Sequence, residues 1–166
     1  IFLDRFIPWT TAVFRSFGHA FRGIGRTILE ERNFRIHLVA VVLVTWFAVL
    51  YEVTALQGAI LVVLYGMVLS LELINTAVEH TVDLVTKEWS PLAKKAKDAA
   101  AGGVLIAALA SVIVAVILFR DPVHWSIVLD KLSSPVRIAV LVVFIVGSFF
   151  FVRGKGDQNR ESSSIL

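Results

Sequence analysis

A chain of 166 residues is long enough for one compact unit and too short for two ordinary domains, and its 57% hydrophobic against 17% charged residues exceed what a water-soluble domain can bury. It has no cysteine, which excludes disulfide, zinc-thiolate and thiol-nucleophile chemistry. A net charge of +3 would suit nucleic acid, but a membrane protein facing anionic lipid carries the same balance, so no nucleic-acid partner is expected.

The chain opens on Ile1 without a methionine, consistent with residues missing ahead of it, and its first thirty residues lack the basic, apolar, small-residue order of a cleaved signal. Phe14, Phe17, Phe21, Ile24 and Ile28 recur at helical spacing while Arg15, Arg22 and Arg26 take other faces. An aromatic face with an arginine rim suits a helix lying in the headgroup plane. A cytoplasmic helix packed on a bundle is the alternative. Glu30 and Glu31 close this stretch.

Four apolar segments follow: Ile36 to Tyr51, Ala55 to about Leu84, Ala99 to Phe119, and Val136 to Val152. A spanning helix needs about 20 residues. The third segment fits well. The first and fourth are short, and Arg35 and Arg137 would snorkel to the headgroups beside them. The second is too long, so its end should project beyond the apolar layer. Six Lys and Arg residues precede the first span, none lies in the first connection, and four lie in the second. The positive-inside rule then places both termini and the second connection in the cytoplasm.

The second span carries Glu72, Asn75, Glu79 and Asp83, with Thr76 beside them. At about 100° per residue the four point within ~80° of one another. Glu72 lies roughly 26 Å along the helix from Ala55, and Glu79 roughly 36 Å, against a hydrocarbon thickness of about 30 Å. The stripe thus crosses from the depth of a lipid headgroup to the depth of a soluble nucleotide. Carboxylates with an amide suit Mg²⁺, which takes one or two protein carboxylates together with substrate phosphates. Glu72, the deepest, is the candidate base for an alcohol. A stripe that only hydrogen-bonds neighbouring helices, and one that conducts protons or cations, are the competing arrangements.

Lys87 to Asp98 read KEWSPLAKKAKD, in which Pro91 should break the helix and Lys94, Lys95 and Lys97 form a positive patch. Such a patch beside carboxylates can hold a polyphosphate with its metal, although a topology signal would look the same. Ala99 to Gly103 are small residues that suit close backbone packing. No G-x-x-x-x-G-K-[ST] occurs anywhere, so any ATP site must be built from side chains. After the fourth span, the polar, Ser-rich stretch from Gly154 is expected to be disordered.

Three strings carry a family resemblance: EERNFRIHL at Glu30 to Leu38, ELINTAVEHTVD at Glu72 to Asp83, and PLAKKAKDAAAGGVL at Pro91 to Leu105. Together, from about Phe14 to Phe119, they resemble the prokaryotic diacylglycerol kinases, small integral-membrane lipid kinases. The first and third strings look most like the Gram-positive branch, whose members act chiefly on undecaprenol. The resemblance implies an all-α membrane protein: an N-terminal amphipathic interfacial helix and a kinase core of three transmembrane helices over residues 1–119. To this the sequence adds a connection and a fourth C-terminal transmembrane helix over 120–152, and a tail over 153–166.

The same resemblance implies a homotrimer with active sites between subunits at the cytoplasmic face of a bacterial cell membrane. ATP and Mg²⁺ would serve a direct phosphoryl transfer to a lipid hydroxyl. By position, Glu72 matches the catalytic base and Asn75 the active-site amide. Glu31 and Glu79 match the Mg²⁺-binding carboxylates, and Glu88, Trp89, Ser90, Lys97 and Asp98 the nucleotide contacts. The family's loop often reads Glu-Tyr-His where this chain has Glu88-Trp89-Ser90. A nucleotide-contacting tyrosine aligns with His19, and an arginine of some members with Ala12, near Arg15. Undecaprenol is the favoured acceptor and diacylglycerol the nearest rival. A carboxylate-based transporter, which would commonly show internal repeats not found here, and a non-catalytic assembly protein are the readings of other classes.

Overall fold

The computed structural model describes residues 3–154, with side chains from residue 11 onward. The Ser-rich tail beyond Gly154 lies outside the described residues. Among those described there are six helices and no strand: α1 Leu3–Glu30, α2 Arg32–Tyr51, α3 Ala55–Val85, α4 Pro91–Leu118, α5 Pro122–Leu132 and α6 Pro135–Arg153.

Four of them, α2, α3, α4 and α6, are long and apolar enough to cross a membrane. They coincide with the four segments read from the sequence. α3 and α4 share the broadest interface, α2 packs on α3, and α6 packs on α2. α6 has no buried residue, so most of its apolar surface faces outward, where lipid replaces a protein core. On α1, Phe14, Phe17 and Phe21 are all strongly exposed, so this aromatic face is not packed on the bundle of its own chain.

The joints between helices are specific. α1 and α2 are separated by one residue, Glu31, whose extended backbone (φ −102°, ψ 115°) interrupts an otherwise continuous helix. Glu52 ends α2 in the left-handed region (φ 60°), and Thr54 with Gln57 forms a capping box that starts α3. Lys131 of α5 fastens this joint by donating to the Leu50 carbonyl and to the Glu52 carboxylate at 3.0 and 2.6 Å.

Two expectations need correction. Pro91 opens α4 rather than breaking a helix: Ser90 is its N-cap and Pro91 stands in the first turn, where a missing N–H costs nothing. Lys94, Lys95 and Lys97 therefore lie on the first turns of α4. Arg35 does not snorkel outward; it is buried, with backbone carbonyls as partners. The connection after the third span contains α5. α5 packs Val128, fully buried, against Leu50 and Tyr51, with Trp46, Phe47, Phe119 and Leu132 around them. Asp121 caps α5 and Pro122 follows it.

Candidate active site

The polar stripe of α3 faces the protein. Glu72 is 4% exposed, and Asn75 and Thr76 are 7% exposed. A buried carboxylate in an apolar span requires polar neighbours, and His37 supplies one, while nearby Thr76 is engaged with the backbone. The Thr76 hydroxyl donates to the carbonyl of Glu72 one turn before it, at 3.0 Å. From α2, the Nε2 atom of His37 lies 3.9 Å from Glu72 Oε1, beyond direct hydrogen bonding but close enough for charge or a shared hydroxyl to link them.

One turn further, the Asn75 amide nitrogen donates to Glu79 Oε1 at 2.8 Å and aims that carboxylate. The Asn75 amide oxygen is buried without a protein partner. An orphaned oxygen of that kind calls for a donor or a cation. Glu79 and Glu31, the latter at the α1–α2 break, lie within electrostatic reach of Glu72. Three carboxylates and an amide thus gather near one end of the bundle. Among the described residues no three His, Asp or Glu groups are close enough to hold a metal by themselves. The Glu79 carboxylate beside the orphaned Asn75 oxygen instead fits a hard cation that draws its other ligands from phosphates and water.

The stripe continues to Asp83, about 6 Å further along the helix than Glu79. There it enters a cleft of about 370 Å³ between the end of α3, the turn Thr86–Ser90 and the start of α4. Glu88, Trp89, Ser90, Lys97 and Asp98 all line this cleft. Lys97 reaches across to Asp83 at 2.6 Å, and Lys94 pairs with Asp98 on the same helix. Trp89 is 80% exposed, a flat apolar surface at the mouth of a charged cleft. His19 is not brought to it: it lies on exposed α1, within 2.9 Å of an Arg22 guanidinium nitrogen.

In the opposite direction, toward the middle of α3, the stripe becomes apolar. A groove of about 270 Å³ between α2, α3 and α4 is lined by Leu61, Tyr65, Val68, Ala108 and Val112, among others, and ends at His37. Sequence reasoning passed over His37, although it lies within one of the strings quoted above. A lone histidine at a span's start carries no signal until the packing of α2 on α3 pairs it with Glu72. The arrangement joins an apolar groove, a buried carboxylate, a cation-compatible oxygen set and a polyphosphate-sized charged cleft along one helix face.

The prokaryotic diacylglycerol kinase family matches residues 18–119. The chain is 48% identical over 106 residues to the undecaprenol kinase of Bacillus subtilis (strain 168), covering 64% of this chain and 86% of that protein. It is 44% identical over 108 residues to a diacylglycerol kinase of Synechocystis sp., covering 64% of this chain and 62% of that one. Against the diacylglycerol kinase of Escherichia coli (strain K12) it is 32% identical over 103 residues, covering 62% and 84%. The family match includes every candidate site residue and stops before α5 and α6.

Proposed function

This chain belongs to the prokaryotic diacylglycerol kinase family, ATP-dependent kinases of membrane lipids, and we propose that it transfers the γ-phosphate of ATP to the hydroxyl of undecaprenol. One observation carries the reading. Buried Glu72 follows one turn after Val68 and lies 3.9 Å from His37, both of which line the apolar groove, and the same helix face leads from it past Asn75 and Glu79 to Asp83 in the charged cleft.

In this reading the lipid chain lies in apolar surroundings with its hydroxyl at Glu72. The carboxylate takes the hydroxyl proton as the oxygen attacks the γ-phosphorus, the bond to the ADP oxygen breaks, and the phosphorylated lipid and ADP remain. Glu31 and Glu79 would hold Mg²⁺ with the Asn75 oxygen turned toward it. A bound Mg²⁺ supplies neutralisation of phosphate charge. Lys97 positions the polyphosphate, and Glu88, Trp89, Ser90 and Asp98 take the rest of the nucleotide. Asn75 fixes Glu79, and the burial of Glu72 keeps competing water away from the base.

The proposed assembly is a homotrimer, in which a neighbouring subunit brings His19 to the cleft that His19 of the same subunit does not line. The proposed setting is a bacterial cell membrane, with α1, the α3–α4 turn and the end of α6 on the cytoplasmic side. The excess of basic residues there supports this.

The test is transfer of label from ATP by the purified full chain with Mg²⁺, offered undecaprenol or diacylglycerol. Undecaprenol is expected to be labelled faster, by about tenfold or more in kcat/KM. Preferential labelling of diacylglycerol would reassign the acceptor, and absence of lipid label with both would end the kinase reading in favour of transport or assembly.

A further inference from the structure

α6 lies beyond the family match, yet Arg35 near the start of α2 binds its last turn. Arg35 is 3% exposed. Its Nη1 donates to the carbonyls of Ile28 and Leu29 at 3.1 and 2.9 Å. Its Nε and Nη2 donate to the carbonyl of Val152 at 3.3 and 3.2 Å. These acceptors belong to the last turns of α1 and α6, which their own helices leave unsatisfied and which carry the negative end of the helix dipole. Two helix C-termini therefore converge on one buried cation. A rigid fork of N–H donors can hold both at once, which the compact ammonium of a lysine cannot do with the same geometry.

The clamp brackets Glu31. The Glu31 N–H donates to the Thr27 carbonyl at 2.8 Å, the Arg35 N–H donates to the Glu31 carbonyl at 3.3 Å, and the guanidinium ties the turn after the break to the turn before it. Two long helices joined by one extended residue would otherwise pivot there, and a pivot would carry the Glu31 carboxylate with it. α6 also packs along α2, with Leu141 and Phe144 facing Leu43 and Trp46 across a small void.

We infer that Arg35 is a positioning residue for the nucleotide site and that the fourth span acts through it. The end of α6 holds the guanidinium, the guanidinium holds the α1–α2 elbow, and the elbow holds the Glu31 carboxylate toward Glu79 and Glu72. This rests on the reading of Glu31 as a carboxylate for the metal–phosphate group.

The experiment is a double-mutant cycle in the full chain, combining Arg35→Gln with a loosened α6 (Leu141→Ala and Phe144→Ala), with Arg35→Lys and Glu31→Gln as references. Two quantities are read: steady-state constants, and amide hydrogen exchange at residues 27–31 in the nucleotide-free protein. Arg35→Gln is expected to raise KM for MgATP about tenfold, with kcat and lipid KM within about twofold, and Arg35→Lys to restore little of the loss. The α6 variant should move KM the same way by about threefold and add nothing to Arg35→Gln, as for two members of one chain of contacts. Exchange at 27–31 should quicken in both.

Additive effects of the two changes would remove α6 from the account. If Glu31→Gln raises KM for MgATP while Arg35→Gln alters neither KM nor exchange, the clamp is not a brace. If Glu31→Gln leaves KM for MgATP unchanged, the role of Glu31 falls, and faster exchange alone would then overturn the positioning claim.

Discussion

At the scale of single residues the site depends on how few polar groups an apolar bundle tolerates. Asn75 shows this: one side of its amide aims Glu79, and the other ends in a buried oxygen without a protein partner. Asn75→Leu keeps the branching at Cγ and removes both functions. It should raise KM for MgATP and lower kcat/KM by about tenfold or more, because Glu79 loses its orientation. Steady-state kinetics at varied MgATP would check this, and unchanged constants would show that Glu79 is oriented by other means. The carboxylates and the amide were legible in the sequence because charge within an apolar run has few explanations. His37 and Arg35 were not. His37 gains meaning through its 3.9 Å approach to Glu72, and the Val152 carbonyl that Arg35 binds lies 117 residues away.

Among the elements, the spans could be read because lipid requires an unbroken apolar helix, and hydropathy records that directly. The break at Glu31 and the helix α5 could not be read in that way. α5 is 11 residues long and only moderately apolar, and its signals were local: Asp121 as cap and Pro122 in the first turn. Its attachment should matter to stability and not to nucleotide binding. Val128→Ala removes two methyl groups from a fully buried site and should cost about 2 kcal/mol, seen as a lower unfolding midpoint in detergent with KM for MgATP unaltered. A changed KM would mean that α5 is coupled to the distant end of the bundle.

The Glu52–Lys131 pair at the same joint has a definite pH dependence. The Lys131 ammonium, hydrogen-bonded to Glu52, holds that carboxyl below the usual carboxylate range. A group lowered in this way stabilises the fold above its unfolded value, and the contribution is lost as pH falls through the lowered one. The exposed position of Glu52 keeps the effect small. Thermal unfolding of Glu52→Gln should therefore fall below the wild type at neutral pH and converge with it in acid. A gap that persists in acid would assign the stabilisation to something other than the ion pair.

For the whole molecule, one face of α3 runs from the apolar groove between α2, α3 and α4 to the charged cleft at the α3–α4 turn. The bond from Arg35 to Val152 puts the end of α6 level with the start of α2, and α5 lies at the opposite end beside Glu52. The natural absence of cysteine makes this orientation testable with single labels. Ser126→Cys on α5 should react with an impermeant maleimide in intact cells, and Lys95→Cys on α4 only after permeabilisation. The reverse pattern would invert the topology.

The most direct measurement of the central claim compares wild type with Glu72→Gln in two assays on the same purified protein: transfer of labelled phosphate from ATP to undecaprenol, and equilibrium binding of MgATP. The account predicts that transfer falls by a factor on the order of 10² to 10⁴, as for loss of a general base, while MgATP affinity changes little. A variant that still transfers phosphate at the wild-type rate would contradict it.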